Sequence, residues 1–196
     1  AQEKLTPELE VAILAAKTLA EAEDLYRPYK QKRRTRATVA KEKGLEPLAL
    51  ALFAQNGEDP NELAKDYIDP EKGVETLEDA LAGASDIIAE MISDDAEIRK
   101  QLRELYLRRA VLISKSAEAE PKDSVYRLFY DFKSPVNRLQ GHQILAINRG
   151  EREELLKVNV VTDRDEALVL LRRAVVRPGS RAMGFIQSAA EDAYDR

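Results

Sequence analysis

The chain has no cysteine and no tryptophan, only one histidine, and aromatic residues at 6%. Without cysteine there is no disulfide framework, no iron–sulfur cluster, no cysteine-rich structural zinc site and no cysteine nucleophile. The lone His142 leaves zinc or non-haem iron without the several His or Cys ligands such sites take. No apolar run approaches the ~18 residues of a membrane span. Gly-x4-Gly-Lys-Ser/Thr, Gly-x-Gly-x-x-Gly and Gly-x-Ser-x-Gly are all missing, so phosphate-cradling loops and a nucleophile elbow have no sequence support. Acidic pairs such as Asp94-Asp95 and Glu153-Glu154 fall among helix caps and surfaces. These absences predict a protein that is not an enzyme, holds no cofactor or metal and does not enter a membrane. His142 is expected to pack or to hydrogen-bond.

What is present is charge and helix-forming composition. Charged residues make up 34% of 196 residues, with a net charge of −5, against a usual charged share of ~25%. Ala, Glu, Leu, Lys and Arg dominate, and all favour helix. The absence of cysteine suits a reducing cytoplasm, and no signal peptide is visible. A start at Ala1 and an end inside a helix-like run predict a piece of a longer protein.

Caps and apolar spacing predict an all-α, multi-helix bundle with at most one short extended segment, near Val158. Thr6-Pro7 opens a helix expected to run to Pro28. Asp59-Pro60 opens a short helix over 61–68. Thr76 starts one through Met91, weakened at Gly83. Ser93-Asp94-Asp95 caps a long helix whose apolar face includes Ile98, Leu102, Leu105, Leu112 and Ile113. Tyr126, Phe129, Tyr130 and Phe132 read as a buried helical face, and Ser134-Pro135 as a turn. Asp163 opens a helix through Arg177, stopped at Pro178-Gly179, and a last helix begins near Ser180. No period-2 strand set or hairpin is evident. The expected organisation is a helical region over 1–114, an exposed loop over 115–124 and a second helical region over 125–196.

Lys30, Lys32, Arg33, Arg34 and Arg36 place five cations within seven residues of an otherwise acidic chain. Clustered Lys and Arg neutralise phosphates and release counterions, giving salt-dependent binding without sequence information. The competing reading is a solvated segment docked on acidic helices. Beyond the run, Ala40 and Gly44 have the spacing of a helix-turn-helix over about residues 36–55, with Val39, Leu45, Leu50 and Phe53 at core positions. The second helix would be Leu48-Ala49-Leu50-Ala51-Leu52-Phe53-Ala54. It lacks the Arg, Asn, Gln or Lys that read base edges, so the pattern predicts a packing unit. Two further basic groups, Arg103, Arg108 and Arg109, and Arg172, Arg173 and Arg177, are expected to be structural or solvated.

The stretch Leu25-Tyr26-Arg27-Pro28-Tyr29-Lys30-Gln31-Lys32-Arg33-Arg34-Thr35-Arg36-Ala37-Thr38, followed by Ala40-Lys41-Glu42-Lys43-Gly44-Leu45-Glu46-Pro47-Leu48-Ala49, closely resembles the N-terminal region of the Tex family of bacterial transcription accessory proteins. Ala80 to Glu90 and Leu145 to Glu151 extend the resemblance over most of the chain. It implies a multidomain cytoplasmic protein related to a eukaryotic transcription elongation factor. Such proteins carry a helical N-terminal part with a helix-turn-helix, an RNase H-like domain, helix-hairpin-helix elements and a C-terminal OB-fold RNA-binding domain. This chain would cover the helical part, with the principal nucleic-acid-binding domain beyond Arg196. Gln143 follows His142 where the family has Arg, which puts any charge role there in doubt. The resemblance implies a non-catalytic module with weak, nonspecific RNA or DNA association through the basic segment. Its partners would be the transcription machinery and other domains of the same protein. The alternative is an interdomain or protein–protein scaffold without direct nucleic-acid contact.

Overall fold

The computed structural model describes residues 5–30, 34–118 and 124–196. They form ten α-helices and three strands: α1 (Pro7–Ala15), α2 (Leu19–Tyr26), α3 (Arg36–Glu42), α4 (Glu46–Ala54), α5 (Pro60–Lys65), α6 (Leu77–Asp94), α7 (Ala96–Arg109), β1 (Val111–Ser116), β2 (Asp131–Pro135), α8 (Gly141–Arg152), β3 (Leu156–Val161), α9 (Arg164–Val175) and α10 (Met183–Asp195). The chain divides into two compact units. One comprises 1–100 with 168–196, and the other 101–167.

The first unit is helical and is built around α6, against which α3, α4, α5 and α10 pack. The sequence dictates α6 at both ends. Thr76 accepts from the Asp79 N–H while the Asp79 carboxylate accepts from the Thr76 N–H, so two orphan donors are satisfied reciprocally. Asp95 then caps α7 by accepting from the Ile98 N–H at 2.8 Å. The buried face of α6 presents Ala80, Ala84, Ile87, Ile88, Ala89 and Ile92. Small residues let neighbouring helices approach closely. At Gly83 a methyl group would stand 2.3 Å from Leu45 Cδ1 and 3.3 Å from Ala40 Cβ. α3 and α4 are joined through Gly44 at φ +82°, a left-handed conformation that glycine adopts without a Cβ penalty. Leu48, Ala49 and Leu52 of α4 are buried, whereas Leu50 is exposed.

At the end of α4, Gln55 takes a left-handed conformation and is buried. Its amide nitrogen donates to the Val175 carbonyl at 2.8 Å, and its amide oxygen accepts from the Arg177 N–H at 2.9 Å. The Arg177 guanidinium donates to the Ala54 carbonyl at 2.6 Å. Two side chains thus complete these helix ends, Gln55 that of α9 and Arg177 that of α4, where backbone groups lack helical partners.

The second unit corrects the all-α expectation. It holds a three-stranded antiparallel sheet in the order β2-β1-β3, so the chain is predominantly helical rather than wholly so. The extended segment near Val158 is present as β3. The long helix predicted through Ile113 instead ends at Arg109, and Leu112 and Ile113 lie in β1. The aromatic segment predicted as a helical face is a 3-10 turn over Arg127–Phe129 followed by β2, and Ser134 and Pro135 belong to that strand rather than to a turn. Of the loop expected over 115–124, Lys115 and Ser116 are in β1, and residues 119–123 lie outside the described residues. Leu112, Tyr126, Phe129, Ile147 and Leu156 form the core of this unit, with α8 covering one sheet face through Ile147 and Ala146. Phe129 and Phe132 meet edge to face with ring centroids 5.3 Å apart. Ser114, buried in the central strand, donates to the Phe129 carbonyl at 2.9 Å.

The first predicted helix is also divided. α1 stops at Ala15 and α2 starts at Leu19 because Thr18 accepts from the Glu21 N–H and the Glu21 carboxylate accepts from the Lys17 N–H. The Thr-x-x-Glu signature stands in the sequence as a second start signal.

Candidate nucleic-acid interface

The basic run joins the turn after α2 to the start of α3. Arg27–Tyr29 form a 3-10 turn, as Pro28 permits at its second position. Lys30 follows, with its N–H bonded to the Arg27 carbonyl, and its side chain is exposed. Lys32 and Arg33 lie outside the described residues. Thr35 caps α3: its hydroxyl oxygen accepts from the Thr38 N–H at 3.0 Å and its hydroxyl bonds Glu90 Oε2 at 3.0 Å.

Arg34 and Arg36 have different surroundings. Arg34 pairs with Glu42 at 2.8 Å, and its side chain is 70% exposed. A pair so open to water contributes about 0–1 kcal/mol, so an incoming anion displaces it at little cost. Arg36 stands at the first position of α3, where a cation opposes the helix dipole. It is offset by Asp86 of α6 at 3.3 Å and Asp192 of α10 at 3.4 Å. Arg196 reaches the same two carboxylates. Two arginines and two aspartates therefore alternate across α3, α6 and α10. Arg27 pairs with Asp94 at 3.1 Å, and Lys41 lies near Glu46 and Glu90.

The hydrogen bond from the Arg196 guanidinium is the main reason that the Asp192 carboxyl lies below its ordinary range; the charge of Arg36 adds to this. A carboxyl depressed on folding stabilises the fold above its ordinary value of ~3.9, and that stability is lost as pH falls through the depressed value. Below pH 4 the thermal midpoint is therefore expected to fall more steeply in the parent chain than in Asp192→Asn. Parallel slopes in melts between pH 5 and pH 2.5 would rule this out.

Four arginines of the other basic groups, Arg108, Arg109, Arg172 and Arg177, are tied to acids or backbone. Arg108 lies 3.8 Å from Glu104, Arg109 lies 4.0 Å from Glu166, and Arg172 pairs with Glu191 at 2.5 Å. His142 is exposed in the first turn of α8 rather than packed. Among the described residues no three His, Asp or Glu side chains gather as metal ligands, and no helix is long and apolar enough to cross a membrane. One polar chain escaped sequence reasoning. Tyr126 donates to Glu153 Oε2 at 2.9 Å, and Arg149 donates to Glu153 Oε1 at 2.9 Å. These bonds, from Arg149 first, lower the Glu153 carboxyl. Gly150 lets Leu156 and the Tyr126 ring approach, since a methyl group there would meet Leu156 Cδ1 at 2.6 Å and Tyr126 Cδ1 at 3.1 Å. The Arg149–Glu153 spacing of four was the only sequence signal for this chain.

The family described as Tex central region-like matches residues 55–191. The chain is 41% identical to Protein tex of Bordetella pertussis over 91% of its length, which is 23% of that protein. It is 34% identical to Transcriptional accessory protein Tex of Neisseria gonorrhoeae over 84% of its length and 22% of the relative. The human S1 RNA-binding domain-containing protein 1 is 36% identical over 76% of the chain and 16% of the relative. The chain thus spans about a quarter or less of these relatives.

Proposed function

The chain belongs to the Tex family, and from that premise we propose a non-catalytic helical module of a cytoplasmic transcription accessory protein. It associates with RNA or DNA weakly and without sequence preference through Lys30, Lys32, Arg33 and Arg34. The observation that carries this reading is the exposure of Lys30 and Arg34 within a five-cation run, with Arg34 held among the described residues by a surface ion pair. Phosphate contacts of this kind need no base-reading helix. α3 and α4 serve as a packing unit, because Leu48, Ala49 and Leu52 face the interior. Relatives named as a transcriptional accessory protein and an S1 RNA-binding domain-containing protein support the nucleic-acid context. His142, alone and exposed, supports the non-catalytic reading.

Arg36 plays a different part. Its ties to Asp86 and Asp192 make it a strut between helices, with phosphate contact secondary. The same pairing favours a second reading, in which the acidic helices around the run mark a docking surface for another domain of the longer protein.

A gel-shift titration across salt separates the two. The quadruple variant Lys30→Gln, Lys32→Gln, Arg33→Gln and Arg34→Gln is expected to flatten the log–log salt dependence by about 0.9 per lost contact on duplex DNA, or about 0.7 on a single strand. Arg36→Gln is expected to lower the melting temperature while changing the salt slope little. If the quadruple variant keeps the parent slope but loses association with the remainder of the longer protein, the docking reading replaces the nucleic-acid one.

A further inference from the structure

The sheet of the second unit has one face against α8 and one face open. Leu112, Ser114, Phe132, Leu156 and Val158 point inward or are partly buried. Side chains alternate along a strand, and residues paired across strands share a face. The register sets Asp131, Lys115 and Lys157 in one row across β2, β1 and β3, and Lys133, Ile113 and Asn159 in the next. All three lysines, Asp131 and Asn159 are exposed, whereas Ile113 is partly covered. Among the described residues none of the three lysines has a salt bridge, although Asp131 is directly opposite Lys115.

Edge protection accounts for part of this pattern. Lysines on edge strands discourage pairing with other sheets, which suits Lys133 on β2 and Lys157 on β3. It does not account for Lys115, which is on the central strand with both neighbours already paired. Lys115 stands between Asp131 and Lys157, so one cross-strand neighbour attracts it and the other repels it. An exposed lysine on the central strand that edge protection does not require points to a use on the surface.

We propose that Lys115, Lys133 and Lys157, with Asn159 beside them, form a second cationic surface that receives the phosphodiester backbone of a nucleic acid. None of Lys115, Lys133, Lys157 and Asn159 is aromatic, so the patch holds phosphates without stacking bases, and its contacts are sequence-independent. An acidic protein partner fits less well, because protein interfaces are depleted in lysine and centre on aromatic or arginine anchors. This surface is separate in sequence from the 30–36 run and stands independently of it.

The test uses the 196-residue chain, a 20-nucleotide single-stranded RNA of mixed sequence and a 20-base-pair DNA duplex. The triple variant Lys115→Gln, Lys133→Gln and Lys157→Gln is expected to lower the salt slope on RNA by about 2, at about 0.7 per contact. Its melting temperature is expected to hold, because the variant removes the Lys115–Lys157 repulsion together with the Asp131–Lys115 attraction. An unchanged slope in the triple variant, beside a lowered slope in Lys30→Gln with Arg34→Gln, overturns the sheet surface and leaves the basic run standing. The reverse result upholds the sheet surface and removes the basic run. Poly-glutamate that displaces RNA from the parent chain as well as an equal charge of unlabelled RNA overturns the assignment to nucleic acid. A parent chain that binds neither probe at 20 mM salt overturns both.

Discussion

Gln55→Ala is expected to lower the stability of the chain by about 2–4 kcal/mol. Gln55 is 8% exposed and ties the end of α4, where it stands, to the end of α9 far along the sequence. Alanine leaves the Val175 carbonyl and the Arg177 N–H without the partners they have at 2.8 and 2.9 Å. Each unsatisfied buried group costs about 1–3 kcal/mol, more than the net value of the bond itself. The backbone contributes a second, separable effect. Gln55 already bears the cost of a left-handed conformation at φ 51°, about 1–2 kcal/mol for a residue with a Cβ. Gln55→Gly therefore loses the same hydrogen bonds but recovers about 1 kcal/mol of that cost. Urea unfolding of both variants gives the comparison. A loss below about 1 kcal/mol for alanine, or glycine falling below alanine, would show that this side chain is not the clamp described.

Gly83→Val is expected to cost about 3 kcal/mol, at the upper end of the usual overpacking range. Even a single methyl group at Gly83 meets Leu45 Cδ1 at 2.3 Å, and valine adds two more carbons. Leu45 is 1% exposed and Ala40 3%, so neither can turn toward solvent to make room. The better helix propensity of valine returns only a few tenths of a kcal/mol. Leu45→Ala alone should cost about 2–5 kcal/mol by opening a cavity. Together the two changes should cost clearly less than their sum, because each fills or vacates the space the other needs. Strict additivity in the double variant would show that α6 and the turn between α3 and α4 do not meet at this point.

Much of the helical part was legible because its stop and start signals are local. Thr6, Asp59, Thr76 and Asp95 each cap a helix in the place the sequence indicates. Thr18 and Glu21 carry an equally local signal, masked by the apolar stripe that continues across it. The sheet was hidden for a different reason. No glycine or proline separates Arg109 from Val111, so β1 prolongs the apolar spacing of α7. Its buried positions are Leu112 and Ser114, and the inward serine removes the hydrophobic alternation that marks a strand. The aromatic spacing at Tyr126, Phe129 and Tyr130 mimics a helix, while the residues belong to a tight turn leading into β2.

The candidate site was legible in composition and not in arrangement. A basic run can be read from sequence, but Arg36 meets Asp192 across 156 residues, and no local pattern records such a pair. The lysines of the sheet face are scattered over 43 positions between Lys115 and Lys157 and become neighbours only through strand register.

The first unit takes its residues from both 1–100 and 168–196, and this fixes an order of events during synthesis on the ribosome. α6 leaves the ribosome well before α10, whose Ile186, Ala189 and Ala190 are buried, and the Arg196–Asp86 pair spans 110 residues. At roughly 5–20 residues per second, α6 waits about 5–20 s for the helix that covers it. The second unit is synthesised within that interval and its antiparallel strands are close in sequence, so it can mature first. During the wait the buried face of α6 lacks the part of its native cover that α10 supplies, and that interval is when a chaperone has the most to gain by binding this protein.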